Sequence, residues 1–295
     1  MDLHAFLAAE RERIDGALDR LLPAADAWPA RLHEAMRYAV FGGGKRVRPV
    51  LVRAACRASG GDPEGVLEAA CALELVHTYS LIHDDLPALD NDTLRRGRPT
   101  VHVAFDEPLA ILAGDALLTE AFAVMATFPE GEGFAARRAE ACRLVAGAIG
   151  SRGMVGGQVE DLEATGVPPD AGRLDRIHRA KTGALIGAAV ELGALLAAAD
   201  GAHREAFAGF GQRLGLLFQI ADDILDVTGS AASLGKSPGK DAAAGKLTYP
   251  AVFGLDAANR ELYALATSLA REAQGLEGRG GTLGAMVGYV ARRDR

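Results

Sequence analysis

The chain has 295 residues, 49% of them apolar and 5% aromatic, with a formal net charge of -7. That length holds one large domain or two small ones, and the apolar share supplies a sizeable core. The acidic balance and the lack of any basic tract interleaved with aromatics argue against general nucleic-acid binding. Three scattered cysteines, Cys56, Cys71 and Cys142, argue against a disulfide framework or zinc site and fit packing residues in a reduced cytoplasm.

Ala and Leu dominate, which favours helix over sheet. Helical periodicity runs nearly end to end between Gly/Pro breaks. The start, Met1 to Phe6, lacks the basic opening and apolar core of a signal peptide, so a soluble cytoplasmic protein is expected. The first break, Phe41-Gly42-Gly43-Gly44, runs into Lys45-Arg46-Val47-Arg48-Pro49. There a glycine loop exposes backbone N–H groups near a helix start, with Lys45 and Arg48 beside them. After Ser59 to Pro63 a long helix is expected over about Glu64–Asp85. It ends in Asp84-Asp85-Leu86-Pro87-Ala88-Leu89-Asp90, and Arg95-Arg96-Gly97 follows. Further breaks fall at Pro129 to Gly133 and Gly166 to Pro169. The most apolar stretch, Thr182 to Ala199, contains Glu191 and reads as a buried helix rather than a membrane span. A second long helix, about Arg204–Val227, ends in Asp222-Asp223-Ile224-Leu225-Asp226. A Gly-, Ser- and Lys-rich loop follows to Gly245, with Lys236, Lys240 and Lys246, and a last break spans Gly275 to Gly281. Repeats, alternating strand patterns and linker-like gaps are absent. A single all-α domain over 1–295, a bundle of roughly ten to twelve helices, is expected.

The chemistry lies in the two acidic clusters. Each ends a run of apolar residues, where carboxylates are costly to desolvate and neighbours repel. Six together need positive charge, and hard divalent cations supply it. Magnesium typically binds one or two carboxylates plus substrate phosphates, so a phosphorylated substrate is implied. Asp222 and Asp226 are four apart and face one side of their helix. Asp84 and Asp90 are six apart, and Pro87 must end or kink the helix to bring Asp90 back. Lys45, Arg48, Arg95, Arg96, Lys181, Lys236, Lys240 and Lys246 are the cations available to a diphosphate. A lysine-bearing loop beside such a site can act as a lid.

These motifs, together with Ser80-Leu81-Ile82-His83, Leu94-Arg95-Arg96-Gly97, Ala113-Gly114-Asp115-Ala116-Leu117, Gly156-Gly157-Gln158, Lys181-Thr182-Gly183, Phe218-Gln219-Ile220 and Gly245-Lys246-Leu247-Thr248-Tyr249-Pro250, resemble those of the trans-isoprenyl diphosphate synthases. The likeness is to the bacterial farnesyl diphosphate synthase type, and the motifs occur in family order over essentially the whole chain. The resemblance implies a helical bundle around an active-site cavity, with an allylic diphosphate held by three Mg2+ between the two acidic clusters. Asp84, Asp90 and Asp222 match direct ligands, with Asp85, Asp223 and Asp226 in support. Arg95, Lys181, Lys236 and Lys246 match residues that grip the allylic diphosphate. Lys45, Arg48, His77 and Arg96 match the isopentenyl diphosphate site, and Thr182 and Gln219 match groups whose oxygens stabilise a carbocation. The departing diphosphate takes the proton in this family, so no side-chain base is expected.

Tyr79 lies five residues before Asp84, about 7.5 Å along a helix. In similar enzymes an aromatic there halts growth at C15 and smaller residues permit C20, so farnesyl diphosphate is the expected product and geranylgeranyl diphosphate the alternative. A class I terpene cyclase commonly changes the second acidic motif and lacks a second diphosphate site, and a regulatory subunit loses acids or cations. Neither loss occurs here. Asn91-Asp92 stands where many relatives continue with aspartates, with little consequence expected. His83 and His102 read as structural, Gln158 and Asp161 are open between supporting and structural roles, and Lys240 is unassigned. Family pattern implies a homodimer acting on small diphosphates, without nucleic acid or a membrane span.

Overall fold

The computed structural model describes residues 2–228, 245–277 and 281–292. Lys236 and Lys240 lie outside them. Among the described residues the chain is all-α as expected, with twelve helices of seven residues or more and one two-stranded hairpin. By internal packing it divides into two compact units, Met1–Arg53 with Pro63–Cys142, and Ala54–Asp62 with Arg143–Arg295. Two of the three boundaries fall inside helices, Val47–Ala58 (α3) and Ala135–Ile149 (α7), and the third lies in the loop at Asp62 and Pro63.

The first unit is organised by α4 (Leu67–Asp84), which packs on α1 (Leu3–Leu21), α2 (Ala30–Val40) and α6 (Glu107–Thr127). α4 is rich in Ala and Leu and buries most of its residues. It stops three residues before Pro87, because proline cannot donate a helical hydrogen bond and bars the helical conformation to the residue ahead of it. α6 begins at the Asp106 cap, whose Oδ1 accepts the Leu109 N–H at 2.8 Å. Its exposed positions include Ile111 and Leu112. A Cβ on Gly114 of α6 would stand 2.2 Å from the His83 ring, so the glycine permits α4 and α6 to approach. His83, read as structural, accordingly lies against α6, with Nε2 3.1 Å from the Ile111 carbonyl. Between α4 and α6 come strands β1 (Leu94–Arg95) and β2 (Arg98–Pro99) and the short α5 (Val101–Ala104).

In the second unit α8 (Met154–Glu163) and α9 (Ala171–Ile177) precede a π-helical turn, His178–Gly183. This runs on into α10 (Ala184–Leu196), nearly every residue of which is buried, as its apolar sequence foretold. α11 (Gly201–Thr228) packs along the π turn and α10, and against α12 (Tyr249–Phe253), α13 (Leu255–Glu277) and α14 (Thr282–Ala291). Glycines set that approach: a Cβ on Gly215 would lie 2.5 Å from the Gly183 Cα, and one on Gly211 2.9 Å from the Gly187 Cα. Gly215→Ala is expected to cost about 1–3 kcal/mol by overpacking. A thermal midpoint equal to wild type would show that the seam yields freely. Cys56 and Cys71 are buried and Cys142 half-buried, all as free thiols.

Candidate active site

In the first unit the helix end at Asp84 folds back as the spacing required. The Asp90 N–H donates to the Asp84 carbonyl at 2.8 Å, and the Asp92 N–H to the Asp85 carbonyl at 3.1 Å. Asp84 and Asp90 are half-buried, whereas Asp85 is buried. Asp85 is taken up by Arg95, whose Nε donates to both carboxylate oxygens at 2.9 and 2.8 Å. Burial pushes the Asp85 carboxyl up in pKa and the Arg95 guanidinium opposes it.

The next residues form the β1–β2 hairpin, whose two-residue turn is Arg96-Gly97 at φ 53° and 75°. Two positive φ values suit the twist of a tight hairpin, and glycine takes the second at no steric cost. The turn sends the Arg96 guanidinium back to the glycine loop, where it donates to the Gly43 carbonyl. A Cβ on Gly44, at φ 151°, would meet Arg96 Nη1 at 2.8 Å, so the glycine run is what lets the arginine in.

That loop leads into α3, with Lys45 exposed just before it and Arg48 in its first turn. Arg46, which the sequence left without a role, is buried and bound to three partners: Asp15 at 2.7 Å, Glu74 at 2.8 Å and the Val40 carbonyl at 2.7 Å. His77 is half-buried on α4. Desolvation first, then the charges of Arg48, Arg96, Arg95 and Arg46, hold its imidazole well below the ordinary histidine pKa, so it is neutral at neutral pH. The structure therefore gathers Arg48, His77, Arg95 and Arg96 in one positive field. A solvent-open pocket of about 450 Å³ lies alongside, with Tyr38, Leu81, Ile82, Asp85, Arg95 and Arg96 among its walls. Tyr79 is 6% exposed, one turn below the acidic end of α4. Its ring meets His83 edge-on at 5.8 Å, and burial with the charge of Asp84 pushes its pKa up to about 12.

In the second unit α11 runs unbroken through the second acidic cluster to Thr228. Asp222 is half-buried, and Asp223 and Asp226 are buried. The Gly183–Gly215 approach brings Thr182 to α11, where its Oγ1 donates to Gln219 Oε1 at 2.8 Å. Gln219 Nε2 donates to Asp223 Oδ1 at 2.9 Å, and the Tyr249 N–H caps Oδ2 at 2.8 Å. Lys181 pairs with Asp161 at 2.6 Å. Both amide atoms of Gln158 are buried with no hydrogen-bond partner among the described residues. Lys246 is half-buried in the segment before α12. His178, which sequence reasoning passed over, is buried with Nε2 3.3 Å from Asp223 Oδ2. Its only signal was its place three residues before Lys181.

Among the described residues no three acidic, histidine or cysteine side chains close a metal cage within either unit. The donors are hard carboxylate oxygens at two helix ends, the chemistry of an ion that completes its shell with phosphate oxygens and water. Such a helical chain, with two aspartate-rich helix ends and arginines gathered at a neutral histidine, has the make-up of a diphosphate-handling enzyme. It belongs to the polyprenyl synthetase family, whose model matches residues 29–277.

The chain is similar to the farnesyl diphosphate synthase of Geobacillus stearothermophilus, at 40% identity over 100% of this chain and 99% of that protein. It is 43% identical to geranylgeranyl pyrophosphate synthase 11, chloroplastic, of Arabidopsis thaliana, over 99% of this chain and 82% of the relative. Among solved structures, the geranyltransferase from Helicobacter pylori complexed with magnesium and isoprenyl diphosphate matches with a TM-score of 0.84. That match has 30% identity and covers 98% of this chain and 96% of the other.

Proposed function

We propose that the chain is a trans-prenyltransferase. It joins isopentenyl diphosphate to dimethylallyl and then geranyl diphosphate, giving farnesyl diphosphate. The observation that carries this reading is the gathering of Arg48, Arg95 and Arg96 around a neutral His77, next to the acidic end of α4. It supports an anion site beside a cation site.

Asp84, Asp90 and Asp222 would hold magnesium, with Asp85, Asp223 and Asp226 in support and three ions as the expected number. When bound, the metal supplies charge neutralisation of the leaving diphosphate. Arg95, Lys181, Lys236 and Lys246 grip the allylic diphosphate, and release of Arg95 from Asp85 accompanies that role. Lys45, Arg48, His77 and Arg96 fix isopentenyl diphosphate. Orienting both substrates and placing cations at the leaving group lower the barrier to breaking the allylic C–O bond. Thr182 and Gln219 present oxygen dipoles to the allylic carbon, the double bond of the C5 unit attacks it, and the departing diphosphate removes the proton. We assign 1–295 to one synthase domain, working in the cytoplasm.

Buried Tyr79 favours the C15 product, while relatives named geranylgeranyl pyrophosphate synthase favour C20 as the second reading. Incubation with isopentenyl and dimethylallyl diphosphates plus Mg2+, with the product chain measured after dephosphorylation, separates them. A C15 product abolished by EDTA is the expected result. A C20 product would retain the transferase and remove the Tyr79 floor, and no condensation would overturn the function. Tyr79→Ala is expected to shift the main product to C20 or longer, and an unchanged chain length would take Tyr79 out of the floor.

One described helix, α6, is long and apolar enough to cross a membrane by length and composition, yet only 39% of its apolar window is buried. We propose that its exposed face, with Ile111 and Leu112 beside exposed Asp115, covers a second copy of the chain. Light scattering should give twice 30.7 kDa, and Leu112→Glu should halve it. A monomeric wild type would end the dimer reading.

A further inference from the structure

The carboxylate of Asp223 is engaged by protein donors on both oxygens. It is 4% exposed, with the Gln219 amide on Oδ1 and the Tyr249 N–H on Oδ2. His178 Nε2 stands 3.3 Å from Oδ2. The His178 ring lies nearly parallel to that of Tyr249, at 14° and 6.2 Å between centroids, and its Nδ1 has no partner among the described residues. At the far end of the amide, Gln219 Oε1 accepts from Thr182.

Polarity along this chain of contacts follows from donor and acceptor chemistry. Both Asp223 oxygens accept from N–H groups, so the amide end that meets Asp223 is the NH2 group. The reverse orientation would set the amide oxygen against a carboxylate oxygen. Gln219 therefore turns its carbonyl to Thr182, and the hydroxyl has to donate. With its single hydrogen committed, Thr182 has only lone pairs to offer any other neighbour.

We propose that Asp223, steadied by His178 and the Tyr249 N–H, is a positioning residue that fixes the polarity of the Asp223–Gln219–Thr182 relay. Thr182 thereby presents oxygen lone pairs, and not its hydrogen, to positive charge developing on the allylic carbon. The inference rests on the transferase reading and replaces the supporting metal role given to Asp223 above: Asp222 serves the metal, and Asp223, with both oxygens taken by protein N–H groups, serves the cation.

Asp223→Asn tests it, because an asparagine NH2 facing Gln219 inverts the amide and turns the Thr182 hydrogen outward. The kcat is expected to fall about 100-fold, the scale of one preorganised electrostatic contact. KM for both diphosphates, and the affinity for magnesium pyrophosphate by calorimetry, stay within about threefold, as for an interaction made only in the transition state. Loss of magnesium pyrophosphate binding would assign Asp223 to the metal and overturn the proposal. In a Thr182→Val background the same Asp223→Asn change should cost less than about twofold, since two members of one relay are not additive. A repeat of the full loss there overturns the relay. An unchanged kcat in Thr182→Val alone overturns the role of Thr182 and the relay with it. A loss in Thr182→Val without one in Asp223→Asn overturns the relay alone. His178→Phe keeps the ring against Tyr249 and removes the nitrogen that faces Asp223 Oδ2. It should lower kcat about tenfold, with recovery in His178→Gln. Equal activity in His178→Phe and wild type removes His178 from the assembly.

Discussion

Asp84→Ala is expected to lower kcat by about 1000-fold, roughly 4 kcal/mol of barrier, while leaving the helical circular dichroism unchanged. Asp84 ends α4, and what it gives to the fold is its backbone: its carbonyl accepts the Asp90 N–H, a bond that alanine keeps. The side chain is half-buried and stands at the end of a helix whose buried residues are mostly apolar. Its assigned task is to hold a cation that neutralises the leaving diphosphate, and contacts aimed at charge developing in a transition state carry large rate effects. The measurement is turnover at saturating magnesium. Activity within tenfold of wild type would remove Asp84 from the ligand set.

Arg46→Ala is expected to act on stability, by about 3–5 kcal/mol, the cost of leaving a buried charge without its partner. Arg46 is 2% exposed, and so is Glu74. The guanidinium also holds Asp15 on α1 and the Val40 carbonyl at the end of α2, so one side chain ties the glycine loop to three helices. Its backbone has φ 48°, a left-handed conformation that alanine adopts no more easily. A lowered urea midpoint reports the loss. A midpoint equal to wild type would mean that Glu74 finds another partner. Two residues on, Arg48 contributes to the field around His77. Of the two arginines in this short motif, one holds the loop and the other is the one proposed to hold substrate.

Helix ends were the most legible part of the sequence. The reading of Glu64–Asp85 compares with Leu67–Asp84, and Arg204–Val227 with Gly201–Thr228, because proline and apolar periodicity act locally. The return of Asp90 was legible for the same reason, since Pro87 leaves the chain little else to do. Contacts between distant segments were not. Arg46 meets Asp15 and Glu74, 31 and 28 residues away, and nothing local separates it from Lys45 or Arg48 as a ligand. The pairing of Arg95 with Asp85 depends on a hairpin turn that two strands of two residues scarcely announce. His178 escaped notice because a π turn breaks the α period from which faces are read. The exposure of α6 escaped as well, for composition reports that a helix is apolar and not which side is covered.

The π turn at His178–Gly183 has one more consequence. Bonds that skip five residues instead of four place an extra residue in a single turn, so the helix leaves the turn out of phase with the helix that entered it. α9 and α10 are therefore keyed to each other by length as well as by side chains. Asp161 meets Lys181, and Thr182 meets Gln219, only while that offset persists. Apart from the side-chain roles of His178, Lys181, Thr182 and Gly183, removal of one residue would rotate Lys181 and everything before it by about 100° relative to α10. Chain length across this turn is itself a constraint, independent of which amino acids occupy it.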